Sequence, residues 1–214
     1  MNIQFLLKFG KIEHLRQLLN SGRVYINCGS FFKQNIDHGR FDKAEGRISL
    51  QHLKDSFLDV RPKGESQWKR LSFQTGKFEY SFKISEYFIY SLYHFSDDET
   101  RSNSYFQFPE SIKQMGDSYL LIKNPKQFMD RLIKGLEKNK FEYNYGVVTY
   151  YDETKNQDNL TLFHKPVSYA YQKEFRILVK SHQKDPIEFN IGSLEDIAEI
   201  LGINDYKGLH FKWE

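Results

Sequence analysis

Tyr169-Ala170-Tyr171-Gln172-Lys173-Glu174-Phe175-Arg176-Ile177-Leu178-Val179-Lys180 runs a polar triplet into an alternating pattern. On an extended chain, residues two apart share a face. Gln172, Glu174 and Arg176 therefore form a polar row, and Phe175, Ile177 and Val179 project the other way. The alternation predicts a strand over residues 175–180 with one face in a core. An acidic residue at the mouth of a buried strand needs a reason: either Arg176 and solvent balance Glu174, or the carboxylate belongs to a site.

On either side of this strand the patterns are mixed. Residues 143–151 read as another strand, joined to it through a polar loop at 152–159, while 193–201 read as a short helix and 207–213 as a closing strand. Upstream, 117–123 is a short apolar run. Pro125 then opens a helix with Asn124 as N-cap and a stripe of Phe128, Met129, Leu132, Ile133 and Leu136. Aromatic and β-branched residues predict strands over 68–73, 77–82 and 87–95, followed by a charged surface connection at 96–104. At the N-terminus, 2–9 reads as a strand and 11–20 as a helix with Ile12, Leu15, Leu18 and Leu19 on one face. Gly22 is its stop, and 23–27 is a second strand. Residues 34–46, with Asp37, His38, Arg40, Asp42 and Glu45, lack periodicity and read as a long polar loop, a common home for ligand contacts. The whole reads as one α+β domain over residues 1–214, with no internal repeat.

Composition limits the function classes. A chain of 214 residues can bury one substantial core, and 19 Phe, 14 Tyr and 2 Trp compensate for a hydrophobic content of 39%. Charged residues make up 28% with both signs interspersed, and a formal net charge of +3 does not mark a dedicated nucleic-acid binder. The single Cys28 excludes an intramolecular disulfide framework and a cysteine-based zinc cluster, which fits a reducing, cytoplasmic setting. The first nine residues read as a strand rather than a signal peptide, and no apolar run approaches a membrane span. The seven histidines show no metal-ligand spacing, so no metal site is expected. Neither Gly-x-x-x-x-Gly-Lys-Ser/Thr nor Gly-x-Gly-x-x-Gly occurs.

Two stretches together carry a resemblance. Phe5-Leu6-Leu7-Lys8-Phe9, the following Glu13-to-Leu19 helix and Gly22-Arg23-Val24-Tyr25-Ile26-Asn27 open the chain, and Gln172-Lys173-Glu174 lies near its end. This combination resembles the ADP-ribosyltransferase superfamily, in particular its small bacterial toxin-like and phage-defence-associated branch. The resemblance implies a twisted, split β-sheet with a few short helices, NAD as the substrate, and transfer of ADP-ribose to a macromolecular acceptor, protein or nucleic acid. It implies a cytoplasmic toxin or antiviral role, with an antitoxin or regulatory partner and no membrane. In the family's Gln-x-Glu triplet the last Glu is catalytic, which carries over to Glu174 with Gln172 orienting the nucleophile. Lys8 stands where the family usually has Arg or His, Tyr25 and Asn27 stand at cofactor-facing positions, and no Ser-Thr-Ser strand is present.

The residue types suit that chemistry. Breaking the bond from ribose to nicotinamide builds positive charge on the sugar, and a fixed carboxylate stabilises such an oxocarbenium-like state. Arg40 suits a pyrophosphate and the carboxylates of Asp42 and Glu45 suit ribose hydroxyls, so this loop is expected to be mobile and to grip the ligand. The plainer alternative makes Glu174 and Arg176 a solvated ion pair on an exposed sheet face, worth little energy. Two other function classes stay open: a non-catalytic module binding nucleic acid or protein, and a metal-dependent nuclease.

Overall fold

A computed structural model describes residues 2–34, 42–102, 105–202 and 208–210. It is α+β, with a mostly antiparallel sheet and few helices. Strand β1 (Ile3–Gly10) leads into α1 (Ile12–Ser21), which buries Leu15 and Leu18 on its inner face. Gly22 ends α1 with φ 65°, its N–H returning to the carbonyls of Gln17 and Leu18. A Cβ there would also meet the Gly192 carbonyl oxygen at 2.1 Å, so only glycine fits. The chain reverses at once into β2 (Arg23–Cys28), followed by the short helix α2 (Gly29–Gln34).

Strands β3 (Arg47–Val60) and β4 (Lys69–Ser81) form a long hairpin of their own, separate from the main sheet. The chain returns to the body in β5 (Tyr87–Ser96), then α3 (Asp97–Ser102), β6 (Tyr105–Gln107), β7 (Ser118–Ile122) and α4 (Pro125–Lys138). The Asn124 side chain accepts a hydrogen bond from the Gln127 N–H at 3.0 Å, and α4 buries Phe128, Leu132 and Leu136 at i, i+4, i+8 spacing. Next come β8 (Glu142–Val147), β9 (Thr149–Tyr151), β10 (His164–Pro166) and β11 (Glu174–Lys180). The last are β12 (Ile187–Asn190), β13 (Ala198–Gly202) and β14 (Gly208–His210).

The eight-stranded sheet runs β12-β2-β5-β1-β7-β13, with β11 against β5 and β8 against β11. Its centre is a fork. Tyr93 of β5 lies between Leu7 of β1 and Glu174 of β11, and Phe88 lies between Cys28 of β2 and Val179 of β11. Strands β1 and β2 therefore share one edge of β5, and between them Tyr90, Ser91 and Leu92 have no strand partner on that edge among the described residues. On one face α1 and α4 cover a core that includes Leu6, Val24, Ile26, Phe88, Ile177 and Val179. On the other, Leu7, Phe9, Tyr93, Phe95 and Tyr119 form a second, aromatic cluster. Among the described residues no helix is long and apolar enough to cross a membrane.

Several expectations need correction. The helix expected over 193–201 is a single turn, in which the Leu194 carbonyl accepts from the N–H groups of Ile197 and Ala198. The chain then becomes β13, because its register against β7 satisfies a sheet edge that a helix would leave open. The strands expected at 68–73 and 77–82 are one continuous β4, passing through Gly76 opposite Leu53. Neither β3 nor β12 was expected from the sequence. The strand expected at 143–151 breaks at Val148, whose N–H turns to the Glu174 carbonyl at 2.9 Å. The stretch expected as a long loop begins at the last residue of α2, its residues 35–41 lie outside the described residues, and 43–46 form a turn buried except at Lys43. The closing strand is described only over Gly208–His210, and the remainder of the range 207–213 lies outside the described residues.

Candidate functional site

The fork in the sheet leaves the backbone carbonyl of Ser91 without a strand donor. Lys8, in the middle of β1, supplies one: its ammonium lies 2.8 Å from that oxygen and 4.1 Å from the Tyr90 ring centroid. A cleft of about 450 Å³ opens here. Lys8, Lys11 and Arg23 line it, together with Glu45, Gln172 and Glu174 and the Lys165 and Arg176 that pair with these carboxylates. That size falls within the usual range for small-molecule sites.

The carboxylate wall is a buried charge cluster. Arg176 is 1% exposed and reaches Glu174 Oε1 through Nε at 2.7 Å. Its two Nη atoms grip the Glu45 carboxylate, each at 2.8 Å, in the planar fork that only arginine provides. Nη1 also donates to the Leu162 carbonyl at 2.5 Å. Lys165 donates to Gln172 Oε1 at 2.6 Å and to Glu174 Oε2 at 3.1 Å, and lies 3.8 Å from Asp42 Oδ2. Ser91 Oγ donates to Glu174 Oε1, and the Glu174 N–H donates to Tyr150 Oη at 3.0 Å.

Three carboxylates thus face two cations, and the excess appears in the acidities. Burial pushes the Glu174 carboxyl upward, but Arg176 and Lys165 outweigh it and hold the group well below the usual carboxylate range. Burial likewise opposes the charge on Arg176, and Glu174 with Glu45 more than restores it, raising its pKa further. Asp42 absorbs the imbalance. Burial raises its carboxyl to about 6, with Lys165 opposing and Glu45 reinforcing the rise.

That elevation has a measurable sign. An acid whose folded pKa exceeds its ordinary 3.8 holds its proton more tightly when folded, so its contribution to stability falls as pH rises from 3.8 to about 6. Glu174 acts oppositely, and its contribution is lost only as pH falls below its ordinary 4.5. Asp42→Asn, neutral at every pH, should flatten the slope between those limits and stabilise the protein near neutrality by at most about 3 kcal/mol. Urea denaturation across that window checks it: the same slope in variant and wild type would show that Asp42 is not the group titrating.

Most of the residues singled out from sequence converge. Lys8, Tyr25, Asn27, Glu45, Gln172 and Glu174 all line the one cleft. Asp42 sits behind it, 1% exposed, and Arg40 lies outside the described residues. The picture of Asp42 and Glu45 on a mobile, solvated loop is corrected: Glu45 is 3% exposed and clamped by Arg176, and the Asp42 Oδ1 accepts from the Ala44 N–H at 2.8 Å. The solvated-pair reading of Glu174 and Arg176 falls for the same reason. Gln172 does not share the strand either. It ends a 3₁₀ turn, and Lys173 in the left-handed region at φ 39° separates it from Glu174, yet Lys165 gathers both side chains.

Sequence reasoning missed Lys165, Ser91 and Tyr150. Ser91 did leave a signal as an isolated polar residue inside the aromatic run of β5, whereas Lys165 in His164-Lys165-Pro166 left none. Comparison with protein-family models, curated proteins and solved structures returns no match to this chain.

Proposed function

We propose that the cleft binds NAD and that the chain is an ADP-ribosyltransferase-like effector, passing ADP-ribose to a protein or nucleic-acid acceptor. The observation that carries this reading is the fork: it opens a cleft lined both by an ionised, buried carboxylate, Glu174, and by the cations Lys8, Lys11 and Arg23. Lys8, Lys11 and Arg23 suit the diphosphate, Tyr25 and Asn27 also line the cleft, and Glu174 suits the ribose. As the glycosidic bond lengthens, its electrons leave with nicotinamide and positive charge grows on the sugar. Glu174 opposes that charge, and Gln172, itself held by Lys165, presents an amide that can orient the acceptor without a competing charge. A cytoplasmic toxin or antiviral setting, with an antitoxin or regulatory partner, belongs to the same reading.

One feature favours a second reading, a non-catalytic binding module. The Glu174 oxygens already receive Ser91, Lys165 and two nitrogens of Arg176, which fills the roughly four acceptor sites a carboxylate offers. A ribose hydroxyl therefore reaches Glu174 by displacing Lys165, which keeps Gln172 and Asp42 as partners. For a metal-dependent nuclease nothing comparable speaks: among the described residues no group of three His, Cys, Asp or Glu is placed to hold a metal.

Calorimetric titration with NAD, together with chromatographic detection of released nicotinamide, tests the proposal. Binding should be measurable, and Lys8→Ala should weaken it by about tenfold or more, the loss expected for one charge-assisted hydrogen bond. Absence of both binding and nicotinamide release would overturn the NAD reading, and binding without release would leave the module.

A further inference from the structure

The hairpin of β3 and β4 has a surface that the cleft does not use. Directly opposed residues of an antiparallel pair share a face, and that face recurs every second residue. In the observed register Phe57 lies opposite Ser72, and Asp59 opposite Arg70. Tyr80, Phe78, Ser72 and Arg70, all even positions of β4, therefore project to the same side as Phe57. Trp68, two residues before Arg70, continues the row beyond the strand end.

All four aromatics of this row stand in solvent: Phe57 is 59% exposed, Trp68 64%, Phe78 60% and Tyr80 63%. Two guanidinium groups lie against them, Arg70 at 3.9 Å from the Phe57 centroid and Arg61 at 5.2 Å from that of Trp68. Among the described residues the arm is fastened at its base. There Arg47 bonds Glu79, Glu153 and Tyr151, and the N–H of His52 donates to Asn156. From residue 61 to 72 every side chain is exposed.

Charge selects the occupant. Residues 47–81 hold seven Lys and Arg against four Asp and Glu, a surplus equal to the whole chain's +3, so the remainder of the chain is formally neutral. Along the row the aromatics are interrupted by Ser72, Gln74 and Gly76 and do not merge into the contiguous apolar core of a protein interface. Separated exposed rings flanked by arginines are what successive unpaired bases stack upon while cations follow their phosphates.

We propose that this hairpin is a binding arm for single-stranded nucleic acid. The assignment stands whether or not the cleft turns over NAD.

The test uses fluorescence anisotropy with labelled oligo-dT and oligo-U of about 20 nucleotides, longer than the roughly 4–16 that one such surface covers, and no NAD. At low salt at least one of the two should bind, the stronger of them identifying DNA or RNA as the natural class. Affinity should fall with added salt as phosphate contacts release counterions. Phe57→Ala with Trp68→Ala should weaken binding by about tenfold or more, the loss expected from removing base stacking. An unchanged melting temperature would show that the surface alone was altered. Arg61→Ala with Lys63→Ala, both in the exposed turn, should weaken binding independently and serves if the first pair perturbs the fold. No binding of either oligonucleotide, tighter binding of a duplex of equal length, or affinity indifferent to both pairs of substitutions would overturn the proposal. So would a concentration-dependent dimer that the aromatic substitutions abolish without any effect on oligonucleotide, which would assign the face to a second copy.

Discussion

Arg176→Ala should destabilise the protein by about 3–5 kcal/mol, because it strips the shared counter-charge from carboxylates that are almost wholly buried. The guanidinium satisfies Glu45 through two bonds, Glu174 through Nε, and the Leu162 carbonyl through Nη1, and each of these partners is a buried carboxylate or a backbone carbonyl. Alanine leaves Lys165 alone to face Glu174, Asp42 and Glu45. Arg176→Lys should recover only part of the loss, since a single ammonium cannot reproduce a planar two-pronged contact with Glu45 while also reaching Glu174. Urea denaturation of the three proteins near neutral pH decides the matter. A loss below about 1 kcal/mol for Arg176→Ala would mean that the pairs behave as solvated ones.

The same cluster shows what could and could not be seen in the sequence. Strand β11 was legible because its apolar alternation and its tertiary partners agree: Phe175, Ile177 and Val179 do enter the main core. Helices α1 and α4 were legible because their caps and stripes are local signals, Gly22 and Asn124 among them. Strand β13 was not, since the apolar spacing of Leu194, Ile197 and Leu201 fits a helical face and only the open edge of β7 turns it into a strand. Strand β3 was hidden for a related reason: much of it stands free of the body, so no one-sided burial imposes a two-residue period. Within the site, the triplet at 172–174 was visible, but its surroundings were not. Asp42 and Glu45 sit in a charged, aperiodic stretch that would be a solvated loop in most contexts. Their burial follows from the positions of Arg176 and Lys165, far away in sequence, as the separation of 131 between Glu45 and Arg176 illustrates. No local pattern encodes that.

Glu174→Gln should lower nicotinamide release by about 10²-fold or more, the effect of removing a preorganised charge from the position where the transition state develops its own. The change is isosteric, yet it does not leave the fold untouched. Glu174 neutralises Lys165 and Arg176 from a position that is itself almost fully buried, so the variant should also lose about 1.5–3 kcal/mol of stability, the usual worth of hydrogen bonds to a charged group. Loss of activity alone is therefore ambiguous, and binding separates the causes. With the protein held well below its melting temperature, a catalytic Glu174 predicts NAD affinity within a few-fold of wild type and turnover collapsed, because the charge acts mainly in the transition state. A purely structural Glu174 predicts that affinity and stability fall together as the wall of the cleft loosens. Turnover equal to wild type in a folded Glu174→Gln protein would remove the carboxylate from the chemistry altogether.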